Sequence, residues 1–250
     1  MTTAEAGLSV QLYTVRDAIR EDLYGALARI ARLGFTRVEA YDIVGHVDEY
    51  ARAFDKYGLV PESAHAMMYG QDVAPIFEDA AALGVQTIIE PCVPAERWTT
   101  RADVSETARW LNQLASVAES YGLRLGYHNH YWEFDHTFDG SPALEVLASE
   151  LDPAVILEVD TYWAAVGGQD VPSLLRRLGN RVQYLHVKDG DISRNSLAQT
   201  AVGSGRMPVL EVLAAAPQAT RIVELDAFDG DVFEALADSA TFLTANGDSL

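Results

Sequence analysis

Four apolar segments in the second half of this chain each end in side chains that can bind a metal ion. They are LRLGYHNHYWEF (123–134), AVILEVDTYW (154–163), VQYLHVKDGD (182–191) and RIVELD (221–226). Their β-branched and aliphatic residues predict buried strands. The spacing from strand to strand is about 26 to 38 residues, which is the length of one strand and one helix. In a parallel barrel the carboxyl ends of the strands meet at one mouth, so the spacing predicts that these side chains converge.

The first half of the chain predicts the same alternation of strands and helices. Predicted strands are 8–15, 37–41, 60–67 and 86–92, and predicted helices are 21–32, 47–57, 73–83 and 104–121. Glycines follow helical patterns at Gly34, Gly58, Gly84, Gly122 and Gly179, where a left-handed residue would end a helix. Eight strands alternating with helices predict an α/β fold, a single (β/α)8 TIM barrel over residues 1–250. An open doubly wound sheet is the alternative, but no Gly-rich loop follows the first strand.

Composition excludes several classes of protein. The chain carries 37 acidic and 18 basic side chains, a formal net charge of −19, so we expect no nucleic-acid partner. One cysteine, Cys92, excludes a disulfide framework. The amino terminus has no leader pattern and no apolar run is long enough to cross a membrane, so we expect a cytoplasmic protein with no membrane partner.

Asp160, His186 and Glu224 form the predicted core of a metal site. Side chains alternate along a strand, so Glu158 and Asp160 share one side, and Asp160 lies nearer the mouth. A site of carboxylates and imidazole suits Mn²⁺, Co²⁺, Mg²⁺ or Zn²⁺, with Mn²⁺ as the leading expectation. A divalent ion would also offset the unfavourable burial of these polar groups on an apolar floor.

The fifth predicted strand ends in three candidate residues, His128, His130 and Glu133. One of them is predicted to be the fourth metal ligand, and the others are predicted to face the substrate as an acid or a base. The residues alone do not show which of the three is the metal ligand and which are the acid or base. The alternative for each histidine is simple packing against Tyr131 and Trp132.

Further side chains at the predicted mouth are candidates for binding substrate. They are Glu39, His65 and Glu90 at strand ends, the aromatic residues Tyr13, Trp98 and Trp163, and the cations Lys188 and Arg206. The polar groups could bind hydroxyls, and the rings could stack on a sugar face, although core packing is the commoner role of such rings. Lys188 could hold an oxyanion, and Arg206 lies in the loop VGSGRMP (202–208), where it could meet an anionic group.

The motifs YHNHYWEF, LEVDTYW, YLHVKDGD and IVELD, in this order, resemble the sugar phosphate isomerase/epimerase group of the xylose isomerase-like barrels. The resemblance covers essentially the whole chain, from SVQLYTVRD onward. It implies a metal site of Glu, Asp, His and Glu from the last four strands, and Asp160, His186 and Glu224 match three of these positions. In relatives, the first glutamate of this site lies at the end of the fifth strand, where this chain has HNH (128–130). Glu133 is preferred as the fourth ligand because YHNHxxEF otherwise has no glutamate there.

The resemblance implies an enzyme that removes a proton next to a carbonyl while a metal ion stabilises the enediolate. The leading expectation is an isomerase or epimerase of a small sugar, keto-sugar or inositol derivative without phosphate, in which His128, His130 and Glu224 are catalytic. A lyase similar to inosose dehydratase, or one that cleaves 3-keto-glycosides, is the alternative. An apurinic-site endonuclease conflicts with the charge, and a sugar-binding barrel without catalysis is a further alternative. The resemblance is also consistent with a homo-oligomer.

Overall fold

The computed structural model describes residues 7–250, which fold around a closed barrel of eight parallel strands. The strands are β1 (Leu8–Gln11), β2 (Arg37–Tyr41), β3 (Val60–His65), β4 (Thr87–Glu90), β5 (Arg124–His128), β6 (Ile156–Asp160), β7 (Val182–Val187) and β8 (Thr220–Val223). Each strand pairs with the next in the sequence, and β8 pairs with β1 to close the barrel. The predicted TIM barrel is therefore confirmed. The residues 1–6, which contributed to the expectation of no leader peptide, lie outside the described part.

Helices connect the strands and cover the outside of the barrel. They are α1 (Arg16–Glu21), α2 (Leu23–Arg32), α3 (Val47–Tyr57), α4 (Ala74–Leu83), α5 (Arg101–Ser120), α6 (Ala143–Glu150), α7 (Thr161–Val166), α8 (Val171–Leu178), α9 (Val209–Ala215) and α10 (Val232–Ala245). Short antiparallel pairs of strands lie in the loops after β5 and β7. Within residues 7–250, no helix is both long and apolar enough to cross a bilayer.

The helices end where the glycine pattern predicts and bury one face against the strands. In α2, Ala26, Leu27 and Ile30 are buried, and this spacing places them on one side of the helix. Helices α3 and α4 end at Gly58 and Gly84, which have φ angles of 67° and 83°. Glycine adopts this left-handed conformation without the steric penalty of a side chain, so both helices stop at these positions.

The lower part of the barrel interior is an apolar layer. It is formed by Ile89, Ile156, Tyr184 and Ile222. A Cβ atom on Gly126 would lie 2.6 Å from Ile89 Cδ1 and 2.8 Å from Ile156 Cδ1, so a larger residue here would displace the ends of these side chains. Because side chains alternate along a strand, the next inward-facing residue of β5 is His128, which lies above the apolar layer.

Two of the predicted strands run too far because polar side chains end them early. The strand predicted over 8–15 stops at Gln11, whose side chain accepts the Tyr13 N–H and begins a 3₁₀ turn. The sixth strand stops at Asp160, whose carboxylate accepts the Trp163 N–H and caps α7. Apart from β2, the other predicted strands are also shorter at their carboxyl ends. These residues instead form the loops above the barrel.

Candidate metal centre and active site

A cavity of about 630 Å³ opens above the carboxyl ends of the strands. The polar side chains that line it include His65, His128, His130, Glu224 and Asp226. Apolar and aromatic residues also line it, among them Tyr13, Tyr41, Ile43, Val44, Met67 and Ile76. This volume and this mixture of apolar walls with a few polar groups are typical of small-molecule sites.

Four buried or nearly buried side chains, here called the inner group, converge at the centre of the barrel. They are His65, His128, Glu158 and His186. Glu158 Oε2 lies 2.5 Å from His65 Nε2, and it lies 3.2 Å from both His128 Nδ1 and His186 Nε2. The barrel register produces this arrangement, since His128 pairs directly with Glu158 on the neighbouring strand. One carboxylate oxygen therefore faces three imidazoles from three other strands.

Glu39 adds a second carboxylate beside the inner group. Its Oε1 atom lies 2.7 Å from His186 Nε2 and 3.1 Å from His65 Nε2, and it accepts a hydrogen bond from Gln11. Burial opposes ionisation, but the two imidazoles hold the pKa of Glu39 well below its ordinary value. Burial likewise disfavours the His65 imidazolium, yet Glu39 and Glu158 outweigh it and raise the pKa of His65 to about 10. The group thus has strong affinity for positive charge.

A second set of ligands, here called the outer group, comprises Asp160, His186 and Glu224. Glu224 Oε2 lies 2.6 Å from His186 Nδ1. The Lys188 ammonium lies 2.6 Å from Glu224 Oε2 and 2.8 Å from both Asp160 Oδ2 and Asp226 Oδ2. The structure therefore brings together the three residues predicted as the core of the metal site, and it adds a buried lysine to them.

Several buried atoms in these two groups have no hydrogen-bond partner. They are His128 Nδ1, Glu158 Oε1, Asp160 Oδ2 and His186 Nδ1. Asp160 Oδ2 and His186 Nδ1 make short contacts with Lys188 and Glu224, but without the angles of a hydrogen bond. Unpartnered polar atoms in a barrel interior are unfavourable. Imidazole nitrogens and carboxylate oxygens of this kind fit a divalent metal ion, which would satisfy them.

His130 lies at the edge of the metal ligands and lines the cavity. Its ring stacks on Trp132 with 4.1 Å between the ring centroids, and its Nδ1 atom has no hydrogen-bond partner. Burial, together with the nearby Lys188 charge, lowers the pKa of His130 to about 4. The ring is therefore neutral at pH 7 and can accept a proton.

Glu133 lies outside both groups of ligands. One of its carboxylate oxygens accepts a hydrogen bond from the Tyr127 hydroxyl at 2.6 Å, and the other accepts the His130 N–H at 2.9 Å. Burial raises the pKa of Glu133 to about 8. Because Tyr127 alternates with the inward-facing His128, it points away from the centre of the barrel and holds Glu133 there. In this position Glu133 fixes the backbone that carries His130.

Other predicted substrate-binding residues lie around the cavity or beneath it. Tyr13 and His65 line the cavity, and Glu39 lies in its floor beside His186. Trp163 is buried, with its ring centroid 5.8 Å from Lys188 Nζ. Lys188 itself is only 1% exposed, so its charge serves the neighbouring carboxylates.

The remaining predicted residues have contacts away from the cavity. Glu90 accepts backbone N–H groups from Met68 and Cys92 and so ties together the loops after β3 and β4. Trp98 is fully buried and packs on Tyr127. Arg206 is exposed and is not among the residues that line the cavity.

Glu158 and Asp226 were not predicted as site residues from the sequence. Glu158 is the centre of the inner group, and Asp226 accepts hydrogen bonds from Lys188 and Gln199. The sequence signal for Glu158 is its position two residues before Asp160 on the same strand, which places both side chains on one side. Asp226 follows Glu224 at the same spacing, so the same signal applies to it.

Comparisons with known proteins agree on the fold. Residues 27–218 match the family model described as xylose isomerase-like TIM barrel. An inosose dehydratase from Clostridium perfringens is 29% identical over 131 residues, which cover 52% of this chain but only 38% of that protein. The match thus spans less than half the length of this curated relative.

Solved structures with the same fold cover nearly the whole chain. A sugar phosphate isomerase/epimerase from Parabacteroides distasonis superposes with a TM-score of 0.78 at 24% identity, covering 99% of this chain and 96% of that one. The structure of the IOLI protein with a binding zinc atom gives a TM-score of 0.71 at 16% identity, covering 96% of each chain.

Proposed function

This chain belongs to the xylose isomerase-like TIM barrel family, and on that premise we propose that it is a metal-dependent lyase that removes water from a small keto-sugar or keto-cyclitol. The observation that carries the proposal is the convergence of Asp160, His186 and Glu224 beneath the cavity, with buried atoms that lack partners. The name of the curated relative, inosose dehydratase, favours loss of water over the isomerisation that leads the sequence-based expectation.

Asp160, His186 and Glu224 are the proposed ligands of the catalytic ion. When bound, a divalent ion supplies a Lewis acid for the substrate carbonyl and the adjacent hydroxyl. His128 is a candidate for a fourth ligand, with its Nε2 atom 3.8 Å from Asp160 Oδ2, but it belongs to the inner group. Glu133 is less suitable because both of its oxygens already accept hydrogen bonds. Lys188 also contacts Asp226, so its ammonium keeps a carboxylate partner when the other two bind an ion.

His130 is the proposed base. It lines the cavity and is neutral at pH 7, because burial lowers its pKa to about 4. It takes a proton from the carbon next to the carbonyl, and the electron pair forms a carbon–carbon double bond as the neighbouring C–O bond breaks. The low pKa makes the resulting imidazolium a strong acid, which returns the proton to the departing hydroxyl and releases water.

The lining of the cavity favours a neutral substrate. Glu224 and Asp226 make its base acidic, and Arg20 is the only arginine or lysine in its described lining. Lys188 is buried among three carboxylates and is not available to a phosphate. An unphosphorylated substrate therefore fits the site better than a sugar phosphate. Tyr13, which is 39% exposed, is placed to stack on its ring.

Isomerisation or epimerisation is the second candidate reaction. Glu224 and His130 both line the cavity, so two different groups can exchange protons with a bound substrate. If Glu224 delivers the proton to the adjacent carbon or to the opposite face, the substrate is rearranged and no water is lost. This outcome would retain proton removal by His130, but the C–O bond that breaks in dehydration would stay intact.

Mass spectrometry of the products distinguishes these reactions. We would incubate the Mn²⁺-loaded protein in D₂O with inosose and, in parallel, with a ketohexose. A lyase gives a product whose mass is lower by one water. An isomerase gives a product whose mass differs from that of the substrate only by incorporated deuterium. Unchanged substrate without deuterium, in both incubations and with bound metal verified, would contradict the proposal.

The variant His130→Gln tests the assigned base in the same assay. We expect kcat to fall about 10²–10⁴-fold, as is usual when a general base is removed. The exposed His46 lies outside the lining of this cavity, so His46→Gln is the matched control and should retain full activity. Equal activity of the two variants would show that another group removes the proton.

A further inference from the structure

We propose that the inner group, His65, His128, Glu158 and His186, is a second divalent-cation site, and that His186 is the ligand it shares with the outer group. This inference rests on the proposed function in one respect, since it takes the outer group as the first metal site. The cation expected is a first-row divalent metal ion, because the inner group offers three imidazoles and a carboxylate without a thiolate.

The two nitrogens of His186 face different sets of ligands. Nε2 lies 2.7 Å from Glu39 Oε1 and 3.2 Å from Glu158 Oε2, on the inner side. Nδ1 lies 2.6 Å from Glu224 Oε2, on the outer side. The two nitrogens lie at different positions on the ring, and each can bind a metal ion. A single histidine can therefore complete both sites as a bridging imidazolate, after the ring loses the N–H proton of its neutral form to solvent.

The donor atoms of the inner group are already close enough to share one ion. One ligand atom from each of the four residues lies within 4.8 Å of the others. Glu158 Oε2 is at the centre of this set, 2.5 Å from His65 Nε2 and 3.2 Å from the nearest nitrogens of His128 and His186. The side chains come from β3, β5, β6 and β7, so the barrel itself holds them in position.

Unpartnered atoms of the inner group also require a ligand. His128 is 3% exposed and Glu158 is fully buried, yet His128 Nδ1 and Glu158 Oε1 have no hydrogen-bond partner. Such atoms lose their hydration on folding without gaining a hydrogen bond in return, although His128 Nδ1 lies 3.2 Å from Glu158 Oε2. A bound cation would remove this penalty for both residues.

The distribution of charge points to the same conclusion. Lys188 makes ion pairs with Asp160, Glu224 and Asp226, all of them at the outer group or beside it. Among the described residues, Glu39 and Glu158 make ion-pair contacts with histidines alone. A divalent ion in the inner group would balance these two buried carboxylates, with His65 and His128 as neutral ligands and His186 as the bridging imidazolate.

Metal content measured on three proteins tests the second site. We would dialyse the wild-type chain, Glu158→Gln and Glu224→Gln against Mn²⁺ and count bound ions by inductively coupled plasma mass spectrometry. Both substitutions preserve side-chain volume, and each changes one group only. We expect two ions per wild-type chain and one in each variant, with far-ultraviolet circular dichroism unchanged. If Glu158→Gln does not fold, His65→Asn replaces it as the inner-group variant.

The other stoichiometries overturn the proposal in distinguishable ways. One ion in the wild type, kept in Glu158→Gln and lost in Glu224→Gln, would eliminate the second site and leave the proposed function intact. One ion with the reverse pattern would place the single metal in the inner group. No ion in the folded wild type would contradict both proposals.

Electron paramagnetic resonance provides an independent check, because two Mn²⁺ ions joined by His186 should give a spin-coupled spectrum. In Glu158→Gln the spectrum should revert to that of isolated Mn²⁺.

Discussion

Glu158 and Asp160 are two residues apart on β6 and point into the barrel, yet they have different partners. Glu158 faces three imidazoles, whereas Asp160 caps α7 and contacts Lys188. The sequence predicted Asp160 because it lies nearest the mouth. It did not predict the role of Glu158, because His65 and His128 come from other strands, and their height relative to β6 depends on the stagger of the closed barrel.

Lys188→Met should strongly destabilise the metal-free protein. Lys188 is 1% exposed and contacts three carboxylates, so its removal leaves buried negative charges unpaired. Breaking such a buried network typically reduces the free energy of unfolding by about 3–5 kcal/mol. Denaturant unfolding in EDTA measures this loss, and we expect Mn²⁺ to restore part of it.

The exposed Lys56 provides the control for this substitution. Lys56→Met removes the same charge from the surface and should change the free energy of unfolding by less than about 1 kcal/mol. If Lys188→Met were as stable as Lys56→Met in EDTA, the carboxylates around Lys188 would not depend on its charge.

Cys92 should react slowly with alkylating reagents at ordinary pH. It lines the cavity, and burial together with Glu133 and Glu90 raises its pKa to about 11. Only the thiolate reacts, so the rate with iodoacetamide should be low at pH 8 and rise as the pH approaches 11. The folded protein retains the thiol proton at pH values where the unfolded chain releases it. The contribution of Cys92 therefore lowers the free energy of unfolding as the pH rises above about 8.5. Alkylation of the native protein at pH 8 as fast as that of the urea-unfolded chain would contradict this assignment.

At the scale of an element, the glycines of the loop over 202–208 have a role that the sequence did not predict. The sequence predicts a loop in which Arg206 could meet an anionic group. In the structure, the loop wraps around Asp189, whose carboxylate accepts the N–H groups of Gly203, Gly205 and Met207. A Cβ atom on Gly205 would lie 2.1 Å from Asp189 Oδ1, so glycine is required for this close approach. The loop therefore binds a carboxylate of its own chain.

Asp189→Asn should release this loop from the barrel. An amide retains one acceptor oxygen and directs an NH₂ group at N–H donors, so we expect a loss of about 2–4 kcal/mol in the free energy of unfolding. Limited proteolysis should then cut within 202–208. The exposed Asp191 is the matched control, and Asp191→Asn should leave both measurements unchanged. Resistance of the loop to protease in Asp189→Asn would show that other contacts hold it.

At the scale of the whole molecule, the sequence predicts the barrel well and its site in part. The bounds of β2 and α3 agree with prediction because alternation and a terminal glycine mark them locally. The ends of β1 and β6 do not, because Gln11 and Asp160 turn the chain through side-chain hydrogen bonds that the apolar pattern does not show. The convergence of strand-end residues follows from the barrel rule, but their division into two groups depends on the three-dimensional register.

Metal binding should stabilise the whole barrel, because the ligands come from strands spread around it. At a free Mn²⁺ concentration about 100 times the dissociation constant, one site adds roughly 2.7 kcal/mol. For a chain of this size, that corresponds to an increase in Tm of about 5–10 °C. Differential scanning calorimetry with Mn²⁺ and then with excess EDTA measures the increase and its reversal. An identical Tm in both conditions would argue against any bound metal.

The most direct test of metal-dependent dehydration is the rate at which the purified chain converts inosose to a product lighter by one water, before and after removal of the metal. We expect dehydration with Mn²⁺, its loss in EDTA and its recovery when Mn²⁺ is restored. Dehydration that continues at the same rate in EDTA, with metal content verified as negligible, would contradict it.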